Sequence, residues 1–124
     1  MSGERVLVVE DNEKSMKLFR DVLQATGFCT IEAGTGEDAI ELALSHSPAL
    51  VLMDVQLPGI DGIEALARLR GDERTASIPV LALTAQAMYG DRERFLEAGF
   101  DGYLSKPVDV VELLRTVEEY CGRG

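Results

Sequence analysis

The sequence predicts an α/β domain in which a five-stranded parallel sheet is covered by helices on both faces. Short apolar runs rich in strand formers alternate along the chain with segments whose apolar residues recur at helical spacing. This alternation is typical of βαβ units with right-handed crossovers, which produce a parallel sheet buried on both sides. Because 124 residues leave room for one core, we expect a single domain over 1–124.

The strands are predicted from apolar runs that are too short for globular helices. Most of these runs are almost entirely apolar, which is typical of buried parallel strands. The run 28–33 is more polar, so we expect it at the edge of the sheet. In chain order the predicted strands are 5–9, 28–33, 49–53, 79–83 and 101–105.

The helices are predicted from capping residues that precede amphipathic segments. Asn12 is a good N-cap for the first helix, and Thr35 with Asp38 resembles a capping box for the second. Asp91 and Asp109 are the corresponding residues before the last two helices. The third helix is predicted from apolar residues at helical spacing, which are Ile63, Leu66 and Leu69.

The two C-terminal helices differ in how much apolar surface they can bury. The helix 92–98 has few apolar residues, so we expect it to be the most loosely held of the five; these residues are Phe95, Leu96 and Ala98. The last helix has a longer apolar face, formed by Val110, Leu113, Leu114, Val117 and Tyr120.

Composition and charge exclude several classes of function. The formal net charge is −10, from 22 acidic and 12 basic residues, and no dense basic run is present, so we expect no nucleic-acid partner. No apolar run approaches the roughly 20 residues of a membrane helix, and the N-terminus lacks a signal-peptide pattern. We therefore expect no membrane association and a cytoplasmic location.

The cysteines and the single histidine do not predict a metal or redox site. Cys29 and Cys121 are far apart and belong to no CxxC or Cys/His spacing, so we interpret both as unpaired thiols used in packing. His46 lies in a polar stretch at the end of the second predicted helix, where a surface position is expected.

Polar residues follow four of the five predicted strands. Glu10 and Asp11 follow the first strand, Asp54 the third, Thr84 the fourth and Lys106 the fifth. Because the carboxyl ends of parallel strands meet at one edge of the sheet, these side chains should converge there. Clustered carboxylates repel one another unless a cation joins them, and carboxylate oxygens suit Mg²⁺. With the metal bound, Asp54 could act as a nucleophile towards phosphorus, while Thr84 and Lys106 contact the phosphoryl oxygens.

Four short motifs resemble those of the response-regulator receiver domains of two-component signalling. They are VVEDN at 8–12, LMDVQLPGIDG at 52–62, LTA at 83–85 and YLSKP at 103–107. Their order and placement at strand ends make the resemblance specific, and it covers nearly the whole chain. Stand-alone receivers of the DivK type and receivers of hybrid kinases are the most similar variants. The implied fold is a flavodoxin-like (βα)5 sandwich with strand order 2-1-3-4-5.

The resemblance implies that Asp54 is the phosphoacceptor of a magnesium-dependent reaction. Asp11, Asp54 and the backbone carbonyl of Gln56 would bind Mg²⁺, and Glu10 would act through a water molecule. The donor would be a phosphohistidine on a histidine kinase or a histidine phosphotransfer protein. The protein would then be a phosphoacceptor regulator that assists its own phosphorylation and dephosphorylation, rather than an enzyme.

The resemblance also implies a switch. Thr84 would bind the phosphoryl group, Lys106 would pair with it, and Tyr103 matches the aromatic switch residue of the family. The peptide bond between Lys106 and Pro107 would be cis. Since no further domain follows Gly124 in the sequence, we expect the output to be the binding of a downstream protein through the last strand and the last two helices.

Alternative functions on related folds fit less well. A phosphohydrolase of the haloacid dehalogenase type needs a second acid two residues after its nucleophile, where this chain has Gln56. A flavodoxin binds phosphate after its first strand, where Glu10 and Asp11 would repel it. No G-x-G-x-x-G motif follows a strand, which argues against a dinucleotide. The remaining alternative is a receiver-fold interaction module that acts without phosphorylation.

Overall fold

The predicted parallel sheet is confirmed by the computed structural model, which describes residues 4–85 and 91–121. All four neighbouring strand pairs are parallel, and the order is 2-1-3-4-5. The strands are β1 (Arg5–Val9), β2 (Cys29–Ala33), β3 (Leu50–Asp54), β4 (Val80–Thr84) and β5 (Gly102–Ser105). As its polar sequence predicts, β2 lies at an edge.

The described helices follow the strands in alternation. They are α1 (Glu13–Ala25), α2 (Gly36–His46), α3 (Gly62–Arg70), α4 (Asp91–Ala98) and α5 (Val110–Tyr120). Four of them begin at side-chain caps, because Asn12, Thr35, Asp61 and Asp109 each accept a hydrogen bond from a backbone N–H in the first turn. No helix in these parts of the chain is long and apolar enough to cross a membrane.

The core consists of two layers, one on each face of the sheet. Alternate residues of each strand point to opposite faces, so Val6 and Val8 pack on one side, and Leu7 and Val9 on the other. The first layer includes the buried residues of α1 and α5, and the second those of α2, α3 and α4. Since β3 and β4 are buried along their whole length, their ends are held rigidly at the edge of the sheet.

One prediction about α4 needs correction and one stays a prediction. The helix is described from Asp91, one residue before the predicted start, and the role of Asp91 as its cap is not tested by the described residues. The predicted turn at 89–90 lies outside the described residues. Leu96 is 41% exposed, whereas the neighbouring Phe95 is 1% exposed. Consecutive residues of a helix point in directions about 100° apart, so a helix that buries Phe95 turns Leu96 towards solvent.

Two further predictions of burial are wrong. Val110 is 39% exposed because it is the first residue of α5, while Leu113 and Val117 supply the buried face. Cys29 is exposed rather than packed, since it begins the edge strand β2. Cys121 is half-buried against the α1–α5 layer, and His46 is exposed at the end of α2, as expected.

Candidate functional site

The carboxyl ends of four strands meet at one edge of the sheet and form the candidate site. Asp54 ends β3 and Thr84 ends β4, while Glu10 directly follows β1 and Lys106 directly follows β5. The parallel register pairs Asp54 with Leu83 and Thr84 with Ser105, which places these residues at the same level. The sheet topology therefore places these residues at the same end of the sheet, as the sequence predicted.

Lys106 connects two buried carboxylates. Its Nζ lies 2.5 Å from Glu10 Oε1 and 2.9 Å from Asp54 Oδ2. The carboxylate side chains are 1% and 8% exposed, respectively, and the Lys106 side chain is 21% exposed. Because a single ammonium group pairs with two acids, the described cluster retains negative charge, which is increased by Asp11 nearby.

The second oxygen of each buried carboxylate accepts a backbone hydrogen bond. The Gln56 N–H donates to Asp54 Oδ1 at 2.9 Å, and the Asn12 N–H donates to Glu10 Oε2 at 3.2 Å. Both donors lie two residues beyond the acid, in the loops that leave β3 and β1. These short loops therefore fix the orientation of the carboxylates.

The pKa values of Glu10 and Lys106 are both raised, but burial acts on them in opposite directions. Burial raises the pKa of Glu10 and the neighbouring Asp54 raises it further, although the Lys106 ammonium and the Asn12 N–H oppose the shift. Burial lowers the pKa of Lys106, but its hydrogen bonds to Glu10 and Asp54 outweigh this effect and leave that pKa raised. Lys106 therefore carries a positive charge at neutral pH.

Three acids of the site fit a hard cation. One carboxylate oxygen from each of Glu10, Asp11 and Asp54 lies within 4.8 Å of the others. Asp11 is exposed, whereas the other two are buried, so an ion here could be reached from solvent. Oxygen donors with open access to water are the surroundings that Mg²⁺ prefers.

The site opens into a cleft of about 870 Å³. Its walls come from the loops after β1, β3 and β4, from α4 and from Lys106; they include Glu10, Asp11, Asp54, Gln56, Asp61, Arg94 and Lys106. Two predicted residues, Thr84 and Tyr103, are not among the described side chains that line it. Thr84 is 6% exposed at the end of β4, and the Tyr103 ring lies 6.1 Å from the ring of Phe95.

Sequence reasoning missed two features of this cleft. Arg94 lines it from α4, although no motif marks this residue, and its only sequence signal is a charge on a helix of low apolar content. Gly62 also approaches Asp54 closely, since a Cβ atom at this position would lie 2.4 Å from the Asp54 carbonyl oxygen.

The predicted cis peptide bond between Lys106 and Pro107 is confirmed.

Comparisons with known proteins agree with this geometry. The family model described as response regulator receiver domain matches residues 6–118. The polar-differentiation response regulator DivK of Brucella ovis is 47% identical over 117 residues, which cover 94% of this chain and 95% of that protein.

Two solved structures show the same fold in related signalling proteins. One is the receiver domain of a sensor histidine kinase from Pseudomonas aeruginosa with a magnesium ion coordinated in its active site cleft (TM-score 0.90, 35% identity, covering 98% of this chain and 99% of that chain). The other is a receiver domain bound to a histidine phosphotransfer signalling protein of Saccharomyces cerevisiae (TM-score 0.90, 27% identity, covering 98% and 90%). The chain thus belongs to the response-regulator receiver domains of two-component signalling.

Proposed function

We propose that Asp54 is the phosphoacceptor of this receiver domain and takes its phosphoryl group from a phosphohistidine on a histidine kinase or phosphotransfer protein. The observation that supports this most strongly is the pairing of one ammonium group, Lys106 Nζ, with both Glu10 and Asp54 at the buried end of an open cleft. Such a cation balances part of the negative charge at the site, and the Asp54 carboxylate lines the cleft from which a donor would approach.

The transfer replaces one bond to phosphorus with another. A carboxylate oxygen of Asp54 attacks the phosphorus atom, the phosphorus–nitrogen bond of the donor breaks, and the imidazole nitrogen leaves with the electron pair and takes a proton. The protein contributes orientation and charge compensation, which is what phosphoryl transfer mainly requires. The Gln56 N–H, at 2.9 Å from Asp54 Oδ1, supports the orientation of the nucleophile.

Mg²⁺ would be held by Asp11, Asp54 and the backbone carbonyl of Gln56, with Glu10 acting through a water molecule. The close approach of three carboxylate oxygens supports this set. When bound, the ion supplies positive charge that neutralises phosphoryl oxygens and the clustered acids.

Lys106 and Thr84 would bind the transferred group. Lys106 already contacts Asp54 and can follow its charge to a phosphoryl oxygen, while the Thr84 hydroxyl at the end of β4 can donate a hydrogen bond. Hydrolysis in the same pocket later returns the protein to its starting state. In this proposal the chain is a regulator that promotes its own phosphorylation and dephosphorylation.

The proposed output is a change in the surface formed by α4, β5 and α5. Movement of Thr84 towards the phosphate would allow the half-buried Tyr103 to repack, and contact between the rings of Tyr103 and Phe95 would pass this change to α4. Amide NMR with beryllofluoride should show shifts from Asp54 to Tyr103 and α4 in the wild type. In Thr84→Ala the distant shifts should be reduced, and shifts confined to the loops around Asp54 in the wild type would contradict this switch.

Phosphorylation by acetyl phosphate, followed by intact mass measurement, tests the proposed chemistry. The wild type should gain one phosphoryl group with Mg²⁺ and none with a chelator, and Asp54→Asn should gain none. Asp61→Asn is the matched control, since Asp61 lines the same cleft but caps α3, a role that Asn also fills. Incorporation that persists in Asp54→Asn or without Mg²⁺ would contradict the proposed chemistry, whereas no incorporation in the wild type would favour the phosphorylation-independent interaction module.

A further inference from the structure

We infer that Gly36 and Ile60 are positioning residues, which hold the loop that carries Gln56 and thereby set the affinity of the site for Mg²⁺. Gly36 is the first residue of α2, and none of the residues of this helix lines the cleft. Ile60 lies in the loop that joins β3 to α3. Because Gln56 is one of the ligands proposed above, this role rests on the proposed function.

Backbone hydrogen bonds fix the two ends of the loop 55–61. The Val55 N–H donates to the Leu83 carbonyl, and the Gly62 N–H donates to the Val55 carbonyl, both at 3.0 Å. Asp61, the last residue of the loop, caps α3 through a hydrogen bond of 2.9 Å. The stretch between these ends depends on packing against neighbouring elements.

Two apolar side chains anchor the middle of the loop. Leu57 is 9% exposed and belongs to the core layer that includes α2 and α3. Ile60 is half-buried and packs against the same layer. Gln56 is exposed next to Leu57, so its position in the cleft follows the path that these contacts give the backbone.

The start of α2 supports Ile60 at close range. A Cβ atom at Gly36 would lie 2.7 Å from Ile60 Cγ1, 3.2 Å from its Cδ1 and 3.0 Å from its carbonyl oxygen. Gly36 is buried, and Thr35 fixes this turn by accepting a hydrogen bond from the Asp38 N–H at 3.1 Å. Since both the side chain and the backbone of Ile60 rest on this turn, a methyl group at position 36 would displace the loop.

Such a displacement would reach the metal ligands through Gln56. Its N–H donates to Asp54 Oδ1 at 2.9 Å, so the loop orients the Asp54 carboxylate as well as the Gln56 carbonyl. Mg²⁺ demands near-ideal octahedral geometry, and its affinity is therefore sensitive to how its ligands are held. The first turn of α2 thus acts on the metal site without contacting it.

Titration with Mg²⁺ followed by amide NMR tests this role. In Gly36→Ala the Kd for Mg²⁺ should rise by roughly tenfold, the lower end of the effect of residues that orient metal ligands. The amide signals of Gln56 and Ile60 should differ from those of the wild type even without metal. Gly34→Ala is the matched control, since a Cβ atom at this position in the loop before α2 would meet nothing within 4 Å, and its Kd should equal that of the wild type.

Two further variants separate positioning from stability. Ala43→Gly weakens α2 about two turns beyond Gly36, so it should lower the unfolding temperature and leave the Kd for Mg²⁺ unchanged. The double variant of Gly36→Ala with Ile60→Ala lacks the side-chain atoms that the new Cβ would meet, so its Kd should return towards the wild-type value. A Kd that simply follows the stability of each variant, or one that is no lower in the double variant than in Gly36→Ala, would overturn the inference.

Failure of this role is distinguishable from failure of the proposed function. If the wild type binds Mg²⁺ and Gly36→Ala binds it equally well, only the role of Gly36 and Ile60 is overturned. If the wild type does not bind Mg²⁺ at all, the proposed metal site is wrong, and the inference is overturned with it. Phosphorylation of Asp54 is measured separately by intact mass, so its absence in a wild type that binds Mg²⁺ would contradict the phosphoacceptor alone.

Discussion

At the scale of single residues, Asp54 depends on a neighbour that has no side chain. A Cβ atom at Gly62 would lie 2.4 Å from the Asp54 carbonyl oxygen and 2.9 Å from Val55 Cα, both in the backbone. These atoms cannot rotate away, because Val55 is tied to β4 by a hydrogen bond from its N–H to the Leu83 carbonyl at 3.0 Å. The need for glycine is therefore a need for space next to the proposed phosphoacceptor.

Gly62→Ala should displace the end of β3. We expect the free energy of unfolding to fall by about 1–3 kcal/mol, the usual cost of overpacking, and phosphorylation by acetyl phosphate to slow as well. Urea denaturation and the initial rate measure these two effects. Gly71→Ala is the control, since a Cβ there would meet only ordinary contacts from 3.4 Å outwards; an equal loss in both variants would contradict the steric explanation.

Asp72 and Arg74 form an ion pair in the loop after α3. The Arg74 guanidinium donates to both oxygens of Asp72, and the Arg74 N–H adds a further bond, which lowers the pKa of Asp72 from 3.8 to about 2. The resulting stabilisation is present above the unfolded pKa and is lost as the pH falls through about 2. Carboxyl NMR titration should show the low pKa in the wild type and a return towards 3.8 in Arg74→Met; an unchanged titration in Arg74→Met would contradict this cause.

The sequence predicted which residues lie at the site better than it predicted their close contacts. Acids and a lysine that follow apolar runs identify the residues at the edge of the sheet, because parallel topology alone brings strand ends together. The approach of Gly62 to Asp54 and the reach of Arg94 into the cleft depend on how α3 and α4 are placed against the sheet. That placement follows from packing across the whole core, so no local pattern indicates it.

At the scale of elements, α4 is held most clearly at its C-terminal end. Arg70, from the end of α3, donates to the Gly99 carbonyl at 3.0 Å and to Asp101 Oδ2 at 2.8 Å. The same guanidinium also donates to the carbonyls of Ala76 and Ile78. Arg70 thus joins the loop after α3 to the loop after α4. These contacts lie at the amino ends of the strands, opposite the candidate site.

Arg70→Met should leave these carbonyls without their donor. We expect a loss of about 1–3 kcal/mol in the free energy of unfolding, together with faster amide hydrogen exchange in α4. Phosphorylation of Asp54 should persist, because Arg70 and its partners lie at the opposite ends of the strands from the cleft. Arg68→Met is the control, since it removes only an exposed ion pair with Glu64, and we expect the free energy of unfolding to fall by less than about 1 kcal/mol. Equal losses in the two variants would contradict the stabilising role of the Arg70 hydrogen bonds.

The elements themselves were largely predictable, and the errors concern the burial of single residues. The strands and the edge position of β2 follow from the apolar runs and the polarity of β2, whereas the strand order was implied by the family resemblance. Leu96 was wrongly assigned to the core because it points about 100° away from the buried Phe95. Val110 was wrongly assigned because helical spacing identifies a face but does not show how far along the helix the sheet covers it. The contacts of Arg70 link residues 29 and 31 positions apart, which no local signal connects.

At the scale of the whole molecule, folding concentrates acids of a chain with net charge −10 at one end of the sheet. Repulsion within this cluster opposes folding, and a bound cation relieves it. We therefore expect Mg²⁺ to raise the unfolding temperature, with a stabilisation of about 2.7 kcal/mol at a concentration of roughly one hundred times Kd.

Asp11→Asn should be more stable than the wild type without metal and should lose most of the stabilisation by Mg²⁺. Differential scanning fluorimetry with and without a chelator measures both effects. Asp38→Asn changes an exposed acid in the first turn of α2 and serves as the control, which should respond to Mg²⁺ like the wild type. An equal response in all three proteins would contradict a metal site at the edge of the sheet.

Direct identification of the phosphorylated residue is the sharpest test of whether Asp54 is the phosphoacceptor. An acyl phosphate is reduced by borohydride to an alcohol, so peptide mapping of the phosphorylated and reduced protein reveals the position of the label. We expect modification at Asp54 alone, present with Mg²⁺ and lost with a chelator. Labelling of Glu10, Asp11 or Asp61 in place of Asp54 would contradict it.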